Sequence, residues 1–482
     1  MTAFPETIPE LLEWRAGQST SGSWLFSGGD AWTLADVLDQ ADRYAVGLEE
    51  RGVGPGDRVA LLLGNRPETL FAWFGANRLG AIVAPFHPGL KPRELAGLLE
   101  LTDPRVLVVD EHRLLAEAAS VHLEHRGQPV LVTPEALARA GRGSARPLVR
   151  PDDVAVLLAT SGTTGLPKAV AQTHRTYVLT AEAFPWWLGL TDSDRLLVAL
   201  PLSHINAQAY STMGALGVGA GLALMPRFSA SGFWNDARRL GVTQFNAVGA
   251  MIHILLKGAA QPGDREHALR ICYSALALAE GQHRAFEQRF ALTLTVGYGL
   301  SESTFGTVWP RDMAPRYGTM GRLRQHPRLG AINRARVVRD DGADAAHAEA
   351  GELWLANPAT MRAYWSDPPA TAAALPDGWL RTGDLVRRDE DGFFTFVARM
   401  KDVIRRRGEN VAAAEIEAVL MAHPFVREAA AVGVPSELGE EEIVAYVALA
   451  EGAEAAHIDV ESLRTWARER LADYKVPGAI FV

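Results

Sequence analysis

Cysteine is almost missing from this chain. Cys272 stands alone among 482 residues, which rules out an internal disulfide framework and a cysteine-rich metal site. Its setting, Leu-Arg-Ile-Cys-Tyr-Ser, predicts a buried strand in which the thiol is inert packing. Lysine is scarce too, with five residues at Lys91, Lys168, Lys257, Lys401 and Lys475. The first twenty residues carry charges and proline but no long apolar run, so neither a signal peptide nor a membrane span is expected and the expected location is the cytoplasm. A basic stripe is also lacking. With a formal net charge of -9 and scattered arginines, no nucleic-acid partner is expected. There is no Ser/His/Asp or Cys/His nucleophile signature, no internal repeat and no low-complexity tract.

What remains is globular composition, 48% hydrophobic and 22% charged, in a chain too long for one ordinary core. The first 150 residues alternate amphipathic helical stretches with apolar strands such as Val59–Leu63 and Val106–Val109, the rhythm of parallel βαβ units. Residues 141–147 read as a polar connector, and from about residue 317 short strands with frequent Gly and Pro suggest a β-rich region. A last unit begins near Lys401, with a helix at 414–421, strands at 429–434 and 443–449, and a second helix at 459–473. The expected fold class is α/β. Residues 1–400 form a large body of two layered α/β subdomains plus a β-rich lobe, and 401–482 a small α+β C-terminal domain.

The strongest chemical signal is Thr160-Ser-Gly-Thr-Thr-Gly-Leu-Pro-Lys168 after the apolar strand 154–159. Gly162 and Gly165 let backbone N–H groups approach a ligand, Thr160, Ser161, Thr163 and Thr164 supply hydroxyls, and Lys168 adds a compact charge. Together they suit phosphates, although the spacing is not that of a Walker A loop. A Gly/Ser-rich surface turn is the alternative. In Val296-Gly-Tyr-Gly-Leu-Ser-Glu-Ser303, Tyr298 can stack on a purine, Gly299 permits close approach and Glu302 can hold Mg²⁺ against phosphate oxygens. The same residues also read as a Tyr-Gly turn with a solvated carboxylate. Arg381-Thr-Gly-Asp-Leu385 is expected in a turn, where Asp384 can accept from two ribose hydroxyls or close an Asx-turn. The basic run 399–411, from Arg399 through Lys401 and Gly408, reads alone as a solvated face.

The order and spacing of these segments resemble, over nearly the whole chain, the adenylate-forming superfamily of acyl-CoA synthetases, peptide-synthetase adenylation domains and luciferases. The resemblance implies that the 160–168 loop binds the β- and γ-phosphates of ATP, that Tyr298 lies against adenine, that Glu302 binds Mg²⁺, and that Asp384 and Arg399 hold the ribose. It also adds Ser274, Gly299, Ser301 and Gly408 to the nucleotide-binding set. His204, in Pro201-Leu-Ser-His204, would line and gate the acyl pocket. Lys401 would be the hinge about which the mobile small domain alternates between adenylation and thioester formation. Arg407-Gly-Glu-Asn-Val411 followed by Glu415-Ile-Glu417 resembles acyl-CoA synthetases and implies coenzyme A as acceptor. The stretch 200–256 is similar to the crotonobetaine/carnitine-CoA ligase branch, and Trp186, Trp187, His204 and Met251 hint at a pocket with aromatic walls for a small carboxylic acid.

Two departures stand out. Leu276 is bulkier than the residues usual in the adenine-side strand, and the stretch 473–482 resembles the approach to the last family motif, whose lysine none of the five supplies. Two rivals therefore accompany the acyl-CoA synthetase reading: an adenylating enzyme that loads a carrier-protein phosphopantetheine, and a non-catalytic nucleotide- or acyl-adenylate-binding protein. The oligomeric state is left open.

Overall fold

The computed structural model describes residues 4–18, 22–110, 129–141, 147–160, 168–275, 277–400, 403–406, 409–435, 441–450, 459–471 and 473–482. They belong to two compact units, Met1–Ala335 with Leu355–Leu380 and Arg336–Trp354 with Arg381–Val482. Both mix helices and sheets, the α/β class that the sequence predicts.

In the first unit, one sheet runs in the order Ala363–Tyr364, Lys168–Thr173, Val154–Thr160, Ile82–Pro85, Arg58–Leu62, Val106–Val109 and Val130–Val132. Its central strands are parallel. Ile82–Pro85 and Val106–Val109 are buried along their whole length, which is why they read as unbroken apolar runs rather than alternating ones. The helix Leu34–Glu49 starts at a capping box: the Thr33 hydroxyl accepts from the Asp36 N–H and the Asp36 carboxylate accepts from the Thr33 N–H. Pro67 opens the next helix, Pro67–Arg78, where its missing N–H would have had no partner in any case. That helix is buried on all sides. Each fully covered Leu or Phe in such a layer contributes about 1.5–3 kcal/mol.

A second sheet in this unit contains Gly221–Leu224, Arg195–Val198, Gln244–Ala247, Ile271–Ser274 and Thr293–Tyr298 as parallel neighbours. Cys272 lies in it, fully buried as expected, and burial pushes its thiol pKa well up, out of reactive range. Ser274 is the last residue of its strand, and beyond the ends of Arg195–Val198 and Thr293–Tyr298 the chain turns into the segments that carry Pro201–His204 and Gly299–Ser303.

The second unit is built around the antiparallel pair Leu380–Arg388 and Phe394–Arg399 and a small α+β piece. In the latter, the helices Ala413–Met421 and Val460–Arg468 bury Ile416, Leu420 and Leu463 with Ile443 and Ala445 of the strand Glu441–Leu449. Two expectations need correction. The helix expected over 459–473 ends at Arg468. The turn expected at 381–385 is part of the strand Leu380–Arg388: its place in the sheet between Ala350–Ala356 and Phe394–Arg399 outweighs the turn composition of Gly383 and Asp384, and Gly383 takes a φ of 70° that glycine adopts without strain. No described helix is long and apolar enough to cross a membrane.

Candidate active site

The predicted phosphate motif is bracketed by a β-hairpin. Val154–Thr160 and Lys168–Thr173 pair antiparallel, with Thr160 opposite Lys168. The Thr160 hydroxyl donates to the Lys168 carbonyl at 3.4 Å, so it already serves the hairpin. Ser161, Gly162, Thr163, Thr164 and Gly165 lie outside the described residues, as do Leu276, Lys401 and Gly408.

On the open side of Lys168–Thr173 lies the two-residue strand Ala363–Tyr364, with Tyr364 opposite Val170. The Lys168 ammonium sits 4.7 Å from the centroid of the Tyr364 ring, and the Tyr364 hydroxyl donates to Glu302 Oε1 at 2.8 Å. One phenol therefore engages both charged groups of the motifs. Burial, and then the neighbouring Glu302 carboxylate, push the phenol pKa up, so it stays a donor. Gln172, fully buried on the same strand as Lys168, donates through Nε2 to the Ser301 carbonyl, and the Met361 N–H donates to the Glu302 carbonyl at 2.6 Å. The turn that presents Glu302 closes on itself through Leu300 N to Ser303 O at 2.9 Å.

Tyr298 ends the strand Thr293–Tyr298 and is 6% exposed, and Ser274 is fully buried at the end of its own strand beside Val296. Among the described residues, no group of three or more His, Cys, Asp or Glu is arranged to hold a metal by itself. Glu302 offers one carboxylate close to a phosphate motif. That donor set fits magnesium, which is usually held by one or two carboxylates plus substrate phosphates rather than by an all-protein cage.

His204 follows a tightly held loop. The buried Asn65 side chain donates to the carbonyls of Leu200 and Met225, both at 3.0 Å, and accepts from the Leu202 N–H at 2.8 Å. Gln208 Nε2 donates to the Leu202 carbonyl at 2.6 Å. Past His204 the backbone forms a π-helix over Asn206–Thr212, an element often found at functional positions. His204 keeps an exposed face, yet desolvation and the nearby His87 lower its pKa and favour the neutral ring. Trp186 and Trp187 do not form one wall: helical neighbours point about 100° apart, and Trp186 is 47% exposed while Trp187 is buried.

The ribose candidates lie in the second unit. Asp384 and Arg399 face each other across the antiparallel pair, Asp384 is fully buried, and Arg399 Nε stands 2.8 Å from Asp384 Oδ1. Thr382 Oγ1 accepts from the Asp384 N–H at 3.1 Å. Lys475, in the same unit, pairs with Glu415 at 2.7 Å.

Sequence reasoning missed Tyr364, Gln172 and Asn65. Tyr364 lies on a strand of two residues, too short for any periodic signal, and the other two resemble ordinary polar residues beside apolar runs. The one cue is an aromatic beside a turn.

The chain matches the AMP-binding enzyme family over residues 12–365 and the AMP-binding enzyme C-terminal domain over residues 415–482. It belongs to the AMP-binding enzymes, the adenylate-forming class to which its motifs point. Within that class it is 35% identical over 490 residues to the sulfoacetate–CoA ligase of Cupriavidus necator, covering 98% of this chain and 93% of the relative. It is 31% identical over 470 residues to the crotonobetaine/carnitine–CoA ligase of Salmonella choleraesuis, covering 93% and 89%. Among solved structures it is similar to the O-succinylbenzoate coenzyme A synthetase of Bacillus subtilis in complex with ATP and magnesium. That match has a TM-score of 0.86 and 27% identity, over 98% of this chain and 95% of the other.

Proposed function

We propose that this chain is an AMP-forming acid–thiol ligase that activates a carboxylic acid with ATP and transfers the acyl group to coenzyme A. The observation that carries the reading is the gathering of Lys168 and Glu302 by Tyr364 at the hairpin that brackets the Thr160–Lys168 motif. The CoA-ligase relatives support it.

A carboxylate is a poor electrophile because its leaving group would be oxide. Its oxygen attacks the α-phosphorus of ATP, the bond to the β-phosphate breaks, and pyrophosphate leaves. The thiol of coenzyme A then loses its proton and attacks the acyl carbon, and AMP departs with the electrons of the acyl–oxygen bond. No protein nucleophile is needed. Lys168 neutralises phosphate charge, Tyr364 holds the Glu302 carboxylate in one orientation, and Tyr298, Ser274, Gly299 and Ser301 form the adenine side. Magnesium held by Glu302 with phosphate oxygens supplies further charge neutralisation. Asp384 and Arg399 hold the ribose, and His204 borders the acyl pocket as a neutral ring. In this proposal Lys401 is the hinge between residues 1–400 and 401–482. Gly408 belongs to the loop that serves the second step.

Both named relatives act on short carboxylic acids with a charged distal group, and we take that as the substrate class. Dependence on ATP and coenzyme A argues for a cytoplasmic location. The test is pyrophosphate release by the full chain with MgATP and a panel including sulfoacetate and crotonobetaine, followed by mass detection of the thioester. Coenzyme A and a phosphopantetheine-bearing carrier protein are compared as acceptors. The reading fails if no acid stimulates pyrophosphate release and no thioester forms; better turnover with the carrier would replace the acceptor.

A further inference from the structure

We propose that Arg324 is a positioning residue for the proposed metal-binding carboxylate Glu302, acting through the backbone of residues 297–307. This rests on the ligase reading above and extends it to a residue that never meets substrate.

Arg324 is among the largest fully buried side chains of the protein, an uncommon place for a guanidinium. Among the described residues no carboxylate pairs with it. Backbone and phenols surround it instead. Its Nε donates to the Thr307 carbonyl at 2.9 Å, Nη1 donates to the Tyr210 hydroxyl at 2.7 Å and to the Thr304 carbonyl, and Nη2 donates to the Tyr273 hydroxyl. The guanidinium carbon lies 4.5 Å from the centroid of Trp187 and 5.0 Å from that of Tyr210. Tyr210 closes the circuit, donating its own hydroxyl to Thr304 O at 2.9 Å. A planar fork of donors can meet these directions at once, which a lysine cannot.

The glycines show how close the cage lies to the nucleotide segment. A Cβ on Gly297 would meet Tyr273 Oη at 2.6 Å and Arg324 Nη2 at 2.9 Å, and one on Gly299 would meet Tyr210 Oη at 2.4 Å. The cage thus lies against both neighbours of Tyr298 in the chain. Two residues before Thr304 stands Glu302, in the turn closed by Leu300 and Ser303 and tied at its back by Met361. Arg324 and Tyr210 thus fix the C-terminal foot of the turn that aims the carboxylate. Changing a group that orients a metal ligand from behind typically costs about tenfold or more in metal affinity.

The experiment measures ATP affinity of the full chain by calorimetry with Mg²⁺ and with EDTA, which needs no knowledge of the acid. Folding is checked by circular dichroism. Glu302→Gln is the comparator for the reading itself and should abolish most of the magnesium-dependent gain in affinity. Arg324→Lys should lower that gain about tenfold, a larger loss than any it causes in ATP affinity with EDTA. Tyr210→Phe is the gentler variant, used in case Arg324→Lys fails to fold, and should lower the gain about threefold through loss of the two hydrogen bonds of its hydroxyl, from Arg324 and to the Thr304 carbonyl. If Glu302→Gln leaves the gain intact, the reading of Glu302 falls. If Glu302→Gln removes it while the folded Arg324 and Tyr210 variants keep the wild-type gain, or lose affinity equally in EDTA, the positioning role falls and Arg324 is only a core fastener.

Discussion

The two units each bring a cation and a carboxylate together, and they do so in opposite ways. In the second unit the contact is direct: Arg399 lies against the buried Asp384 at 2.8 Å. In the first, Tyr364 stands between, its face toward Lys168 and its hydroxyl on Glu302. A directly paired Asp and Arg largely cancel each other's field, which suits a neutral sugar whose hydroxyls need oriented acceptors and donors. Lysine and glutamate kept apart by a phenol each retain charge for a ligand of the opposite sign, which suits a polyphosphate and its metal.

The sharpest way to break this contrast is to remove the separated cation. Lys168→Ala should slow acyl-adenylate formation about a hundredfold and leave affinity for preformed acyl-adenylate nearly unchanged, because in the proposed role the phosphates it meets leave as pyrophosphate. Equal losses in both assays would show that Lys168 serves the fold or the adenylate. In the direct pair the larger effect should be on stability. Arg399→Leu takes the guanidinium from a buried carboxylate and should cost about 2 kcal/mol in urea unfolding, less than a wholly buried pair because Arg399 is partly exposed. An unchanged unfolding midpoint would mean that Asp384 is held adequately by its other neighbours.

Tyr364→Phe keeps the ring beneath Lys168 and deletes only the hydroxyl on Glu302. Loss of a hydrogen bond to a charged group should lower the adenylation rate about tenfold and raise the magnesium requirement. A mutant that turns over normally would reduce the phenol to a spacer.

The smallest effect concerns pH. His174 follows directly on the hairpin strand, 1% exposed, and burial lowers its pKa to about 4, with Asp153 opposing the shift. The folded value lies below the ordinary one of about 6.5, so the unfolded chain takes up the proton first. Its contribution is complete above pH 6.5 and is lost as pH falls towards 4. Between pH 7.5 and 5.5 the first unit should lose about 1 kcal/mol of stability, and His174→Gln should flatten that slope. An equal slope in the mutant would assign the acid sensitivity elsewhere.

Much of this contrast is legible in the amino-acid sequence itself. Val106–Val109 is recognisable as a strand because all four positions are apolar and buried, and Lys168 because a lone lysine closes a run of glycines and hydroxyls. The grouping is not legible. Tyr364 reaches Lys168 by way of a strand pairing between residues nearly two hundred positions apart, which no local pattern encodes. Composition also misleads at Arg381–Leu385, where Gly and Asp suggest a turn and cross-strand pairing makes a strand. Arg324 gives no signal at all, since only tertiary burial distinguishes it from a surface arginine.

The Asn65 clamp also limits how the loop before His204 can behave. The Leu200 carbonyl and the Leu202 amide are tied to one buried side chain and the Leu202 carbonyl to another, so a hinged swing of that loop would have to break three hydrogen bonds at once. In the proposed acyl pocket, opening and closing beside His204 would therefore fall to the imidazole, turning about its own χ angles on a fixed post. That is motion on the time scale of a rotamer flip rather than of a moving lid, and substrate entry at this point would cost no loop rearrangement.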